Sequence, residues 1–109
     1  YYVDVIAMEG RSKASRGWNK GYPGRYGKGH KIRGLDQIER GIAIFFAGVD
    51  EDKDKGLVTQ GGRVLHVVAG DRTLEGAREK AYRNIAKLWF EDHYNNGANC
   101  MRYRKTIGL

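Results

Sequence analysis

Two groups of cationic side chains carry the clearest chemistry in this sequence. Lys20, Arg25, Lys28, His30, Lys31 and Arg33 punctuate a glycine-rich stretch, and Arg102, Arg104 and Lys105 stand near the end of the chain, with Tyr22, Tyr26 and Tyr103 beside them. Glycine lets backbone N–H groups approach an anion closely. Guanidinium groups grip phosphate through paired hydrogen bonds, and each charge-assisted bond contributes about 1.5–3 kcal/mol. The pattern therefore suits a phosphorylated ligand. A solvated positive surface accounts for the same residues without a ligand. A stand-alone binding module for single-stranded nucleic acid is a third reading, although such proteins usually set their aromatics on an exposed sheet rather than in a glycine-turn loop. The net charge of +7 attracts anions in all three cases and selects none of them.

Other chemistries are weaker. There is no Walker loop, dinucleotide fingerprint or nucleophile elbow. His30, His93 and Cys100 can in principle meet at a metal, but their spacing matches no common zinc pattern. The acidic turn Asp50–Gly56 lacks the oxygen-ligand spacing of an EF-hand. Neither a catalytic residue nor a metal site is expected within the chain. His66, inside the apolar run Val64–Ala69, reads as a hydrogen-bonded core histidine.

The elements that must position these groups follow from local pattern. Residues 2–8 form an apolar strand, and residues 10–34 read as a long ordered loop or pair of turns, a feature that is usually functional. One helical turn at Leu35–Arg40, ended by Gly41, precedes a strand over Ile42–Ala47. Gly61-Gly62 between two β-prone runs predicts a two-residue hairpin turn. The second run, Arg63–Ala69, should be a central strand covered on both faces. Thr73 can cap a helix whose stripe runs through Leu74, Ala77, Ala81, Tyr82, Ile85 and Leu88 and ends near Trp89, with Glu75–Arg78 and Glu79–Arg83 paired on its polar face. Residues 95–99 form a turn and Met101–Ile107 a last short strand. The sum is α+β: residues 1–109 as a single domain, a mostly antiparallel sheet with one main helix. The chain opens directly in a strand, as a domain cut from a longer polypeptide would. No apolar run approaches the ~18 residues that span a membrane, and the sole cysteine, Cys100, fits a reducing cytoplasm.

Five segments, in order, resemble the C-terminal domain of the phosphoribosylamine-glycine ligase family. They are Gly21-Tyr22-Pro23-Gly24-Arg25-Tyr26-Gly27-Lys28-Gly29 with Ile32-Arg33-Gly34-Leu35; Phe45-Phe46-Ala47-Gly48; Gly61 to Leu65; Ala77 to Tyr82; and Tyr103 to Gly108. The stretches between Met8 and Gly21 and from Asp92 to Asn99 look inserted, and Thr106 stands where the family usually has Asp.

The resemblance implies a fold like the small hybrid-type domain that ends ATP-grasp enzymes. It also implies a cytoplasmic purine-biosynthesis ligase in which ATP activates glycine as an acyl phosphate that the amine of 5-phosphoribosylamine attacks. ATP and Mg or Mn would be bound outside this chain, by the N-terminal and ATP-grasp domains of the same enzyme, and the isolated domain would be inactive. On this reading Lys20, Gly21, Tyr22 and Gly24, together with Arg104 and Lys105, line one wall of the phosphoribosylamine site and bind its phosphate.

Overall fold

The computed structural model describes residues 1–107. In chain order the strands are β1 (Tyr2–Glu9), β2 (Ser12–Lys13), β3 (Trp18–Asn19), β4 (Lys31–Arg33), β5 (Ala43–Phe46), β6 (Val49–Asp52), β7 (Gly56–Thr59) and β8 (Arg63–Gly70). Helix α1 (Leu74–Ile85) follows, then β9 (Trp89–Asp92), β10 (Ala98–Asn99) and β11 (Met101–Arg102). They form a four-stranded sheet ordered β11-β1-β8-β5, a five-stranded sheet ordered β10-β9-β4-β7-β6, and the small β2–β3 pair. Every pairing is antiparallel, as expected of the α+β reading.

The first sheet and α1 make the core. Alternation along β1 sends Val3, Val5 and Ala7 inward, where they meet Leu65, Val67 and Ala69 of β8. Ala77, Ala81 and Ile85 of the helix are fully buried against them, and the two small alanines let α1 lie close to the sheet. The Thr73 side chain caps the helix, accepting from the Gly76 amide at 3.0 Å. The helix stops at Ile85, earlier than its stripe predicts, and Leu88 and Phe90 carry the core on into the second sheet. Glu79–Arg83 pair at 3.5 Å, whereas Arg78 turns away from Glu75 towards the end of the chain.

The predicted hairpin at Gly61-Gly62 does not form. β7 pairs with β4 and β6, and β8 with β1 and β5, so the two glycines join strands of different sheets. The segments 43–52 and 56–70 instead make one long ribbon that bends at Gly48 and Gly61, and its turn lies at residues 53–55. Gln60 N–H donates to the Gly48 carbonyl at 2.7 Å, and a Cβ on Gly48 would come within 2.8 Å of Gly61 Cα. Neither Gly61 nor Gly62 has a positive φ. These glycines serve close approach, not turn geometry.

Four further expectations change. The acidic segment 50–56 is largely strand, β6 and the first residue of β7, because Asp52 turns the chain through its side chain by accepting from the amides of Asp54 and Lys55. The loop 10–34 contains β2, β3 and β4, strands too short to show a period. β8 is central but not covered on both faces. His66 is half-exposed and pairs with Asp4 at 2.9 Å on an open face it shares with Ile6 and Phe45, so it is not a core residue. The last strand is also shorter than expected, ending at Arg102.

Two predictions follow from this packing. A methyl group on Gly62 would run into the Tyr22 ring. Gly62→Ala is therefore expected to cost about 1–3 kcal/mol in denaturant unfolding, and much less in a Tyr22→Ala background; equal costs in both backgrounds would refute the contact. Glu39 ties the segment before β5 to α1, accepting from Arg83 Nε at 2.7 Å and Asn84 Nδ2 at 3.1 Å. The Arg83 hydrogen bond holds its carboxyl at about 2, below the usual 4.5. Its stabilisation is thus present above pH 4.5 and lost as pH falls towards 2. Glu39→Gln should flatten the dependence of Tm on pH across that window and leave the rest of the profile in place.

Candidate functional site

The glycine-rich loop is fastened to the end of β1. Tyr22 N–H donates to the Glu9 carbonyl at 2.8 Å, Glu9 N–H donates to the Gly62 carbonyl at 2.8 Å, and Gly21 N–H closes the loop on the Arg25 carbonyl at 2.9 Å. Gly21 has φ 101°, and a Cβ there would lie 2.6 Å from the Gly10 carbonyl carbon, so only glycine fits. The Tyr22 ring packs on Gly62, joining two of the matched motifs. The Tyr22–Pro23 peptide is cis.

The end of the chain is held by the helix. After β11, the Tyr82 hydroxyl donates to the Arg104 carbonyl at 2.6 Å and accepts from Ile107 N–H at 2.9 Å. Arg78 stacks over the Tyr82 ring at 4.9 Å and donates to the carbonyls of Ile107 and Lys105, each at 3.1 Å. Arg104 thereby borders a pocket of about 110 Å³ whose other walls are Asp4, Ile6, Met8 and Ile107. Gly108, the last residue of the ending motif, lies outside the described residues.

Lys20, Gly24, Arg104 and Lys105 are exposed, Tyr22 is half-buried and Gly21 is buried. Both segments start from the same end of β1: Gly21 packs on Gly10, and Gly10 on Cys100 and Arg102. Among the described residues no hydrogen bond or ion pair joins Lys20–Gly24 to Arg104 or Lys105. The ion pairs engage Arg33, Lys80, Arg83 and Lys87, and among the described residues none joins Lys20, Arg104 or Lys105 to a carboxylate. Uncompensated cations beside a glycine loop suit an anion.

The six-residue basic run is not one surface. Lys31 and Arg33 belong to β4, Arg33 is paired with Glu91, and His30 is buried. The aromatics beside the cations are engaged internally. Tyr22 meets Tyr26 edge-on with centroids 6.0 Å apart, Tyr103 meets Tyr82 at 6.0 Å, and Arg11 covers Trp18 at 4.4 Å. They form no row of free stacking platforms for single-stranded nucleic acid.

Sequence reasoning missed the tail clamp of Arg78 and Tyr82, whose signal was the spacing of one turn that puts a cation over a ring. It brought His30 and Cys100 together but missed Glu9 and Asp92, which complete a buried cluster with them. His30 Nδ1 lies 2.7 Å from Glu9 Oε2, Cys100 Sγ is 3.4 Å from that nitrogen and 3.6 Å from Glu9 Oε1, and His30 Nε2 is 3.8 Å from Asp92 Oδ1. Burial, and then the charges of Glu9 and Asp92, push the Cys100 thiol far above its ordinary range. His93 stays outside this group, its ring tilted at 46° to the His30 ring with centroids 5.2 Å apart, and desolvation is the first cause of its lowered pKa. A thiol among the candidate ligands does not fit Mg with a nucleotide, which needs oxygen ligands.

Comparison with known proteins agrees with the motif order. The family model of the phosphoribosylglycinamide synthetase C domain matches residues 18–109. Phosphoribosylamine–glycine ligase of Fusobacterium nucleatum is 45% identical over 91 residues, which cover 81% of this chain and 19% of that protein. The enzyme of that name from Archaeoglobus fulgidus is 38% identical over 109 residues, 100% of this chain and 21% of that one. The crystal structure of phosphoribosylamine–glycine ligase from Thermotoga maritima superposes with a TM-score of 0.65 at 37% identity, over 95% of this chain and 21% of that one. The chain thus spans about a fifth of the length of these relatives. From the glycine-rich loop to the terminal basic run, in sequence and in fold, it belongs to the phosphoribosylglycinamide synthetase C-domain family.

Proposed function

We propose that this chain is the C-terminal domain of an ATP-dependent ligase that joins 5-phosphoribosylamine and glycine to give glycinamide ribonucleotide, ADP and phosphate in the cytoplasm. The observation that carries the reading is the family match over residues 18–109 in a chain with a fifth of its relatives' length. The plant relative from Arabidopsis thaliana is named chloroplastic, so the compartment differs within the family. Among the described residues no helix is long and apolar enough to cross a membrane.

In this proposal ATP and Mg or Mn sit in the N-terminal and ATP-grasp domains of the same enzyme, and this domain supplies one wall of the phosphoribosylamine site. Arg104 is the first choice for the phosphate. Arg104 borders a pocket, and its backbone carbonyl is held by Tyr82, so binding must order its side chain but not its main chain. Lys105 adds charge. Lys20, Tyr22 and the Gly21–Gly24 backbone face the ligand from the other side of the β1 end. The remaining domains pack on the open face of the first sheet, where Tyr2 and Phe45 are 83% and 58% exposed, a large apolar surface for a free-standing domain. The reading as a single-stranded nucleic-acid module finds no support in the family or in the engaged aromatics.

In the full-length enzyme, Arg104→Ala should raise the Michaelis constant for phosphoribosylamine by at least about tenfold, the equivalent of one charge-assisted bond, and leave that for glycine unchanged; an unchanged constant for phosphoribosylamine would remove Arg104 from the site. Arg78→Ala should raise the same constant by a smaller factor and speed amide exchange at residues 103–107 without changing it in β8. Unaltered exchange at the tail would show that Arg78 does not hold it.

A further inference from the structure

We infer that Glu9, His30 and Cys100 form a site for a thiophilic divalent cation of the zinc type, with Asp92 orienting the imidazole from its far side. The three donors come from the end of β1, the segment before β4 and the segment between β10 and β11. Their exposures are 0%, 2% and 3%, and their ligand atoms all lie within 4.8 Å of one another. Carboxylate oxygen, imidazole nitrogen and thiol sulfur are together the donor set of zinc, and the sulfur argues against magnesium or calcium.

The geometry is close to that of a bound state. Tetrahedral zinc, with bonds of roughly 2.0–2.3 Å, holds neighbouring ligand atoms roughly 3.3–3.6 Å apart. The sulfur already stands at such distances, 3.4 Å from Nδ1 and 3.6 Å from one oxygen of Glu9, Oε1. The imidazole meets the other oxygen, Oε2, at 2.7 Å in a hydrogen bond that must give way as one Glu9 oxygen turns to the cation beside both Sγ and Nδ1. A cation on Nδ1 leaves the proton on Nε2, which faces Asp92 Oδ1 at 3.8 Å. Metal-bound histidines commonly carry a carboxylate in that position. Asp92 is itself held, since its two oxygens accept from the backbone amides of Lys13 and Tyr94 at 2.7 and 3.1 Å.

Charge is compatible with the same conclusion. Glu9 and Asp92 are two buried carboxylates that face one imidazole, and a neutral thiol does nothing to balance them. A dication on Glu9 carboxylate, Cys100 thiolate and neutral His30 makes a neutral ligand set, with water completing the four positions, and the Asp92 carboxylate beyond the imidazole faces the Nε2 proton. The cation takes the place of the protons on Sγ and Nδ1, and no redox step is involved. The consequence is a staple. Residues distant in the chain, with sequence separations of 21, 70 and 91 among the three pairs, would be tied at the point from which the glycine loop and the terminal basic run both depart.

The test uses the 109-residue chain with zinc alone and with cobalt(II) alone. Cys100 is the only cysteine, so a sulfur-to-cobalt charge-transfer band reports this site and no other. The expected results are one cation per chain after gel filtration, that band together with tetrahedral ligand-field absorption, and a Tm that rises with zinc and falls with a chelator. Asp92→Asn should weaken cobalt binding by about 10–100-fold, and Cys100→Ser should abolish the charge-transfer band. The cobalt spectrum of the unaltered chain decides the matter even where a variant fails to fold. Absence of the charge-transfer band at saturating cobalt would overturn the site, as would a Tm that zinc and chelator leave unmoved.

Discussion

Two residues at the end of β1 hold four parts of the molecule together. Glu9 uses its amide on Gly62, its carbonyl on Tyr22 and its carboxylate on His30, while Gly10 donates to the Cys100 carbonyl at 2.7 Å. The sheet crossing, the glycine loop, the start of the second sheet and the segment leading to the terminal basic run all meet there. Such a junction has little room. A Cβ on Gly10 would sit 2.8 Å from the Cys100 carbonyl oxygen, and one on Gly21 would sit 2.6 Å from Gly10. Buried backbone groups need partners, and here each segment supplies the partner another lacks.

This junction explains why the family motifs lie far apart in the chain yet act as a unit. Gly21-Tyr22 and Gly61-Gly62 are two halves of one contact, the Tyr22 ring over Gly62. Ala77 to Tyr82 and the ending from Tyr103 form another, because Arg78 and Tyr82 grip the carbonyls of the tail. Motif order and packing therefore report the same constraint. The cations proposed to meet a phosphate are carried by the two segments that leave the junction, and among the described residues no ion pair engages them, which suits them to an anion.

Much of the fold was legible in the sequence, and the exceptions share a cause. Strand β1 and helix α1 announce themselves through local signals: alternation, the Thr73 cap and the alanine stripe. Gly61-Gly62 was misread because composition does not separate a glycine that turns from one that permits close approach. The deciding partners, Gly48 and Tyr22, are remote in the chain. His66 was placed in the core because a run apolar on both sides looks covered, yet its neighbours Ile6 and Phe45 leave that face open. At the site, the cationic residues could be named, but not which of them remain free. That depends on long-range pairings such as Arg33 with Glu91 and His30 with Glu9. The sequence offers His30 and Cys100 as possible metal ligands but pairs them with His93, because the third member, Glu9, lies at the end of an apolar strand far from both in the chain.

The central claim is that the end of β1 is a single cooperative junction on which loop and tail depend. Native-state hydrogen exchange of the amides of Glu9, Gly10 and Tyr22 tests it most directly, because these three N–H groups belong to three different contacts of that junction. The account predicts that all three exchange with one common opening free energy, equal to that of the β1–β8 amides. Exchange of Tyr22 at a much lower opening free energy, with Glu9 and Gly10 still protected, would contradict it and make the glycine loop an independent appendage.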